Sequence, residues 1–105
     1  MKLEGAVCIV TGSATGTGAA CAVQLARKGC RVVVNYTKSE RDARQTLSDC
    51  NTAGAEAIMV KGDVANDADC RALAKAALDK WGRIDALINN AGITKFAAAT
   101  DLDGL

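Results

Sequence analysis

The chain has 105 residues, half of them hydrophobic, with thirteen Lys or Arg against twelve Asp or Glu and a net charge of +1. That balance excludes an electrostatic nucleic-acid or membrane-surface binder, because both need a concentrated basic patch. With no histidine, the chain offers no imidazole general base or metal ligand, and its length bounds it to one domain of modest size or a part of one.

The first apolar run, Ala6-Val7-Cys8-Ile9-Val10, reads as a buried strand. After a glycine-rich turn, the Ala-rich stretch predicts a helix over about 17–28, stopped by Gly29 at C′. A second strand is expected over 31–35. The second helix starts at Ser39 or Thr37, runs to about Thr52 and ends near Gly54, with Ala43, Leu47 and Cys50 as its buried stripe. A third strand over 57–60 precedes a third helix, which starts near Asp67 and ends before Gly82. Cys70, Leu73, Ala74, Ala77, Leu78 and Trp81 share one of its faces, and Trp81 reads as core or a helix-end staple. The last run is 86–88. All four runs are continuous rather than alternating, as in parallel strands covered on both faces. The resulting β-α-β-α-β-α-β pattern predicts an α/β fold, a doubly wound parallel sheet of four strands and three helices in the order 3-2-1-4, with the fourth strand at an edge open to pairing with another chain.

There is no proline and no low-complexity linker, so no internal boundary is expected. Cys8, Cys21, Cys30, Cys50 and Cys70 form no Cys-x-x-Cys pair. An odd, scattered count predicts reduced thiols, no metal site and a cytoplasmic location. The early apolar run is too short for a signal-peptide core or a membrane span.

Thr11-Gly12-Ser13-Ala14-Thr15-Gly16-Thr17-Gly18 joins the first strand to the first helix. Gly12 can turn the chain out of the strand. Gly16 and Gly18 lack a Cβ, so a phosphate can approach the backbone where the helix presents free N–H groups and its positive dipole end. The Gly-Lys-Ser/Thr ending of a nucleotide-hydrolysing P-loop is absent. Asp63-Val64 and Asn89-Asn90-Ala91-Gly92 follow the third and fourth strands, again at carboxyl ends, where ligands bind in such sheets.

With Thr-Gly-x-x-x-Gly-x-Gly, Asp63-Val64 and Asn-Asn-Ala-Gly in register, the chain resembles the short-chain dehydrogenase/reductase family over essentially its whole length. Val-Val-Val-Asn-Tyr and Ile-Asn-Asn-Ala-Gly-Ile-Thr look most like its 3-oxoacyl-acyl-carrier-protein reductase and glucose dehydrogenase branch. The resemblance implies a Rossmann-type, NAD(P)-binding fold. It implies that Gly12, Ser13, Ala14, Thr15, Gly16, Thr17 and Gly18 wrap the pyrophosphate and nicotinamide ribose, that Asp63 accepts a hydrogen bond from the adenine amino group beside Val64, and that Asn90, Ala91 and Gly92 line the ribose on the adenine side. Asn89 would tie neighbouring strands together. Asp63 has a second reading as the end of a Gly-Asp turn, and Asn89-Asn90 as a polar turn. Thr17 stands where the family usually has Ile or Leu, and Thr15 where many NADP-dependent members carry Arg or Ser.

NAD-dependent proteins of this fold carry an acid at the end of the second strand for the ribose 2′-OH. Here Asn35-Tyr36 holds no carboxylate. Thr37, Lys38 and Ser39 follow, with Arg41 beyond, and offer hydroxyl, N–H and cationic contacts to a 2′-phosphate. NADP is therefore the expected cofactor, with NAD as the alternative. The Ser and Tyr-x-x-x-Lys catalytic set of the family has no counterpart here, the lone tyrosine being Tyr36, so no catalytic residue is assigned. The expectation is that residues 1–105 are the truncated N-terminal portion of one dinucleotide-binding domain, inactive alone. The parent would be a homo-oligomeric oxidoreductase acting on a small carbonyl or alcohol. The rival readings are a non-catalytic dinucleotide-binding or sensor module and a remnant without function.

Overall fold

Strands form where β-branched and small apolar residues run without interruption. The structure, a computed structural model, describes residues 4–89. In chain order the elements are β1 (Val7–Thr11), α1 (Gly16–Arg27), β2 (Arg31–Tyr36), α2 (Glu40–Thr52), β3 (Ala57–Lys61), α3 (Asp67–Trp81) and β4 (Ala86–Asn89). The strands make one parallel sheet in the order β3-β2-β1-β4, as the sequence pattern predicts. Register is fixed by pairs such as Ile9 with Val33 and with Leu87, and Val34 with Met59.

Both faces are covered, and the strand alternation divides the core in two. Cys8, Val10, Val32 and Val34 meet Ala22 and Ala26 of α1 and Ala43 and Cys50 of α2. Val7, Ile9 and Val33 meet Leu73 and Ala77 of α3 on the other face. Alanines at these helix contacts let the helices lie close to the flat sheet, which is how a core poor in aromatic residues closes. Trp81 packs against the α3-side cluster, and its indole N–H donates to Glu56 Oε1 at 2.9 Å.

Two helix faces differ from the sequence expectation. In α2 the buried position between Ala43 and Cys50 is Thr46, not Leu47, which is half-buried. The Thr46 hydroxyl donates to the carbonyls of Ala14 and Asp42 at 3.0 and 3.2 Å, so burial leaves it satisfied. In α3 the stripe is narrower than expected, and Leu78 is 48% exposed. No described helix is long and apolar enough to cross a membrane.

Candidate functional site

Because the strands are parallel, their carboxyl ends and the loops that follow gather on one rim. β1 has β2 on one side and β4 on the other, so the chain departs in opposite directions from its neighbours and leaves a crevice at its end. Gly12 to Gly18, Asn35 to Ser39, and Asp63 with Val64 all belong to this rim. Asn90, Ala91 and Gly92 lie outside the described residues. Asn89, just before them, accepts a hydrogen bond from Thr11 Oγ1 at 2.7 Å and ties β4 to β1.

The glycine loop carries the clearest anion-binding geometry. Gly12 and Gly16 have φ of 61° and 60°, a left-handed conformation that glycine adopts without strain. A Cβ on Gly16 would meet nothing within 4 Å, so the loop is open to close approach from outside. Thr15 caps α1 without a side-chain bond, and the first turn of α1 holds no acid. By contrast, Glu40 and Asp42 occupy the first turn of α2. In α3, Asp67 and Asp69 do so, with Asn66 accepting from the amides of Ala68 and Asp69. Of the described helices, only α1 has a positive end with neither a side-chain cap nor a counter-charge, which favours an anion there.

Two of the expected contact residues turn inward. Ser13 is fully buried, and its hydroxyl donates to Val10 O at 2.6 Å and accepts from Asn35 N at 2.8 Å. Asn35, 2% exposed, accepts from Gly12 N at 2.9 Å and donates through Nδ2 to the carbonyls of Gly62 and Val60 at 3.0 and 3.3 Å. Its side chain is engaged within the fold by these three bonds. A polar residue directly after the apolar run Val32-Val33-Val34 and still within the strand was the signal, since a buried amide must find partners.

Beyond Asn35, Tyr36 is half-buried against the α1/α2-side core, while Thr37, Lys38 and Ser39 are exposed. A cleft of about 380 Å³ opens beside them, lined by Thr37, Lys61, Gly62, Asp63 and Asp69. Asp63 is exposed, and its Oδ1 accepts from Ala65 N at 2.9 Å. Asp63 N in turn donates to Asp69 Oδ2 at 2.8 Å. Asp69 and the cap Asn66 were not singled out from the sequence, although Asn66-x-x-Asp69 has the spacing of a capping box. Val64 packs half-buried against the α3-side core, and its carbonyl accepts from the Cys70 thiol at 3.1 Å. Away from the rim, burial and then the neighbouring Cys30 push the Cys8 thiol up to about 12, while burial pushes Cys50 up to about 11. Neither is a nucleophile at neutral pH.

The short chain dehydrogenase family model matches residues 6–104. An uncharacterised oxidoreductase from Methylorubrum extorquens is 44% identical over 96% of this chain and 41% of its own length. A 3-oxoacyl-[acyl-carrier-protein] reductase from Synechocystis is 45% identical over 89% of this chain and 38% of its own length. The short-chain dehydrogenase/reductase homolog YusS from Bacillus subtilis is 34% identical over 98% of this chain and 94% of its own length. Among solved structures, one from Burkholderia cenocepacia with bound NADP has a TM-score of 0.79 and 31% identity, covering 84% of this chain and 34% of that one. A short chain dehydrogenase/reductase from Burkholderia phymatum in complex with NAD has a TM-score of 0.77 and 36% identity, covering 83% and 31%. The chain belongs to the short-chain dehydrogenase family. It spans about two fifths of the first two relatives named and nearly all of the third.

Proposed function

We propose that this chain is the cofactor-binding portion of an oxidoreductase that interconverts a carbonyl and an alcohol, with NADP(H) as the preferred dinucleotide. The observation that carries it is the uncapped, acid-free start of α1 beneath two left-handed glycines. In this reading, Gly12 to Gly18 wrap the diphosphate, which the amides at the start of α1 hold, with Gly16 giving the close approach, while the Gly12 and Ser13 amides stay bonded to Asn35. Thr37, Lys38 and Ser39 hold the 2′-phosphate, and Asp63 and Val64 flank the adenine in the cleft beside Gly62. Asn90, Ala91 and Gly92 complete the ribose site. The bound nicotinamide supplies a hydride donor or acceptor, and the protein fixes which atom it faces.

Supporting NADP, the residues from Tyr36 to Ser39 carry no carboxylate to repel a phosphate, and Lys38 is exposed there. Solved relatives have been captured with either dinucleotide. No residue of this chain is assigned to proton transfer. We take the chain as the N-terminal portion of a single dinucleotide-binding domain whose parent is a cytoplasmic homo-oligomer, a compartment consistent with five free thiols. Titration of the chain with NADPH and NADH, followed by the reduced cofactor's own fluorescence, tests the reading. NADPH is expected to bind more tightly, and an NADH affinity about tenfold higher, a difference of about 1.4 kcal/mol, overturns the phosphate site.

A further inference from the structure

We propose that Asn35 is a positioning residue, a carboxamide clip that sets the glycine loop and the start of the Gly62–Asp63 turn against each other, and that it plays no part in choosing between NADP and NAD. The proposal deepens the cofactor reading above and rests on it for the affinity arm of the test.

The β1–β2 ladder runs as far as Val10 paired with Val34. One residue later the glycine loop leaves the sheet, and Asn35 takes over the pairing from there. Its backbone N–H donates to Ser13 Oγ at 2.8 Å, and its carbonyl accepts from Ser13 N at 2.9 Å. The side chain adds the part that backbone alone does not provide. Oδ1 faces a donor, the Gly12 amide at 2.9 Å, and Nδ2 faces two acceptors, Gly62 O at 3.0 Å and Val60 O at 3.3 Å. Only this orientation of the amide satisfies all three groups. The flipped one sets N–H against N–H and oxygen against two carbonyls. One side chain, 2% exposed, therefore joins the loop after β1 to the strand end and loop of β3 across β2.

The chemistry of this site makes Asn35 hard to replace by the acid that marks NAD binding. A carboxylate keeps the bond from Gly12 N but presents negative oxygen to Gly62 O and Val60 O in a buried place. A protonated carboxyl restores one donor. Asn35→Asp is thus expected to raise the carboxyl's pKa in the fold above its unfolded value. The penalty is present above that raised pKa and fades as the pH falls below it. Selectivity then belongs to the residues of the rim from Tyr36 onward, and the neutrality of Asn35 answers to the fold and not to a phosphate.

The test uses the full chain, with NADP+ and NAD+ as probes because the oxidised forms tolerate acid. For N35D at about pH 8, both affinities are expected to fall by a common factor of about tenfold, with their ratio unchanged. Both are expected to recover towards wild type at about pH 5.5, over a range in which wild type changes little. Amide exchange in the wild type gives an arm independent of any cofactor, since the Gly12 N–H, on an exposed loop residue, is expected to be protected like the strands. A gain of NAD+ affinity over NADP+ in N35D overturns the proposal, as does Gly12 exchange at the rate of an open loop. If N35D does not fold at either pH, Gly12 protection decides alone. If wild type binds neither probe, the cofactor reading fails while Gly12 exchange still judges the clip.

Discussion

At the level of single residues, the polar groups that shape this molecule are the ones hidden in apolar sequence. Ser13, Asn35 and Thr46 each sit where composition alone suggests a ligand contact or a solvent face, and each is buried with its bonds made inside the fold. Asp85 does the same work at the opposite end of the sheet. Its side chain is 16% exposed, accepts from Val7 N at 2.8 Å and pairs with Arg83 at 2.6 Å. Arg83 first, and the Val7 amide second, hold its carboxyl below the ordinary value of 3.8. A lowered carboxyl contributes stability above its unfolded pKa and loses it as pH falls through the folded value. Urea unfolding of wild type and Asp85→Asn should therefore show a gap at about pH 6 that narrows below about pH 4. A gap that stays constant down to about pH 2.5 would remove the carboxylate from the argument.

At the level of elements, the strand positions and helix stops were legible in the chain, because continuous apolar runs and the glycines at 29, 54 and 82 are signals local to each segment. All three of these glycines take a left-handed φ, the conformation expected where a helix is closed by glycine. What was not legible depends on packing between segments. Helical spacing admits either Thr46 or Leu47 beside Ala43 and Cys50, and hydropathy chooses Leu47. The carbonyl of Ala14, brought in by another part of the chain, decides for Thr46. Likewise the spacing places Leu78 on the apolar face of α3, but the assembled fold leaves it about half exposed. The cap of α3 is a local feature that lends itself to a direct test. Asn66→Ala removes two acceptor contacts, at 2.9 and 3.3 Å. It should cost about 1 kcal/mol, or about 4–8 °C in Tm. An unchanged Tm would mean that these two bonds add nothing to stability.

At the level of the whole molecule, the glycine loop, the β2 end and the Gly62–Asp63 turn converge because the sheet is parallel, and this convergence was readable from the order of elements. The fit of Asn35 to its three partners was not, since it joins residues 12, 35, 60 and 62, whose approach only the assembled sheet defines. Among the described residues β4 is one of the sheet's two marginal strands, β3 being the other. β4 carries Leu87 at 53% exposure, with Ile84 at 36% close by in sequence. An apolar margin with unpaired backbone groups favours association. Light scattering of the 105-residue chain should show particles larger than a monomer at high concentration, and Leu87→Lys should shift them towards monomer. A wild type that stays monomeric throughout would refute pairing through this strand.

The single tryptophan gives the molecule a reporter with a fixed field of view. α3 begins beside the Gly62–Asp63 turn, and its 15 residues carry Trp81 about 22 Å along the axis to the amino-terminal end of the sheet, where it meets Glu56. An oxidised dinucleotide does not absorb in the emission band of indole, so Trp81 stays blind to such a ligand on the opposite rim. Its spectrum registers only whether the far end of the barrel-less sheet is still closed. Calorimetry of binding and emission of the indole can then be read on one sample, and a variant that loses the ligand while Trp81 keeps its native spectrum has been damaged at the rim alone.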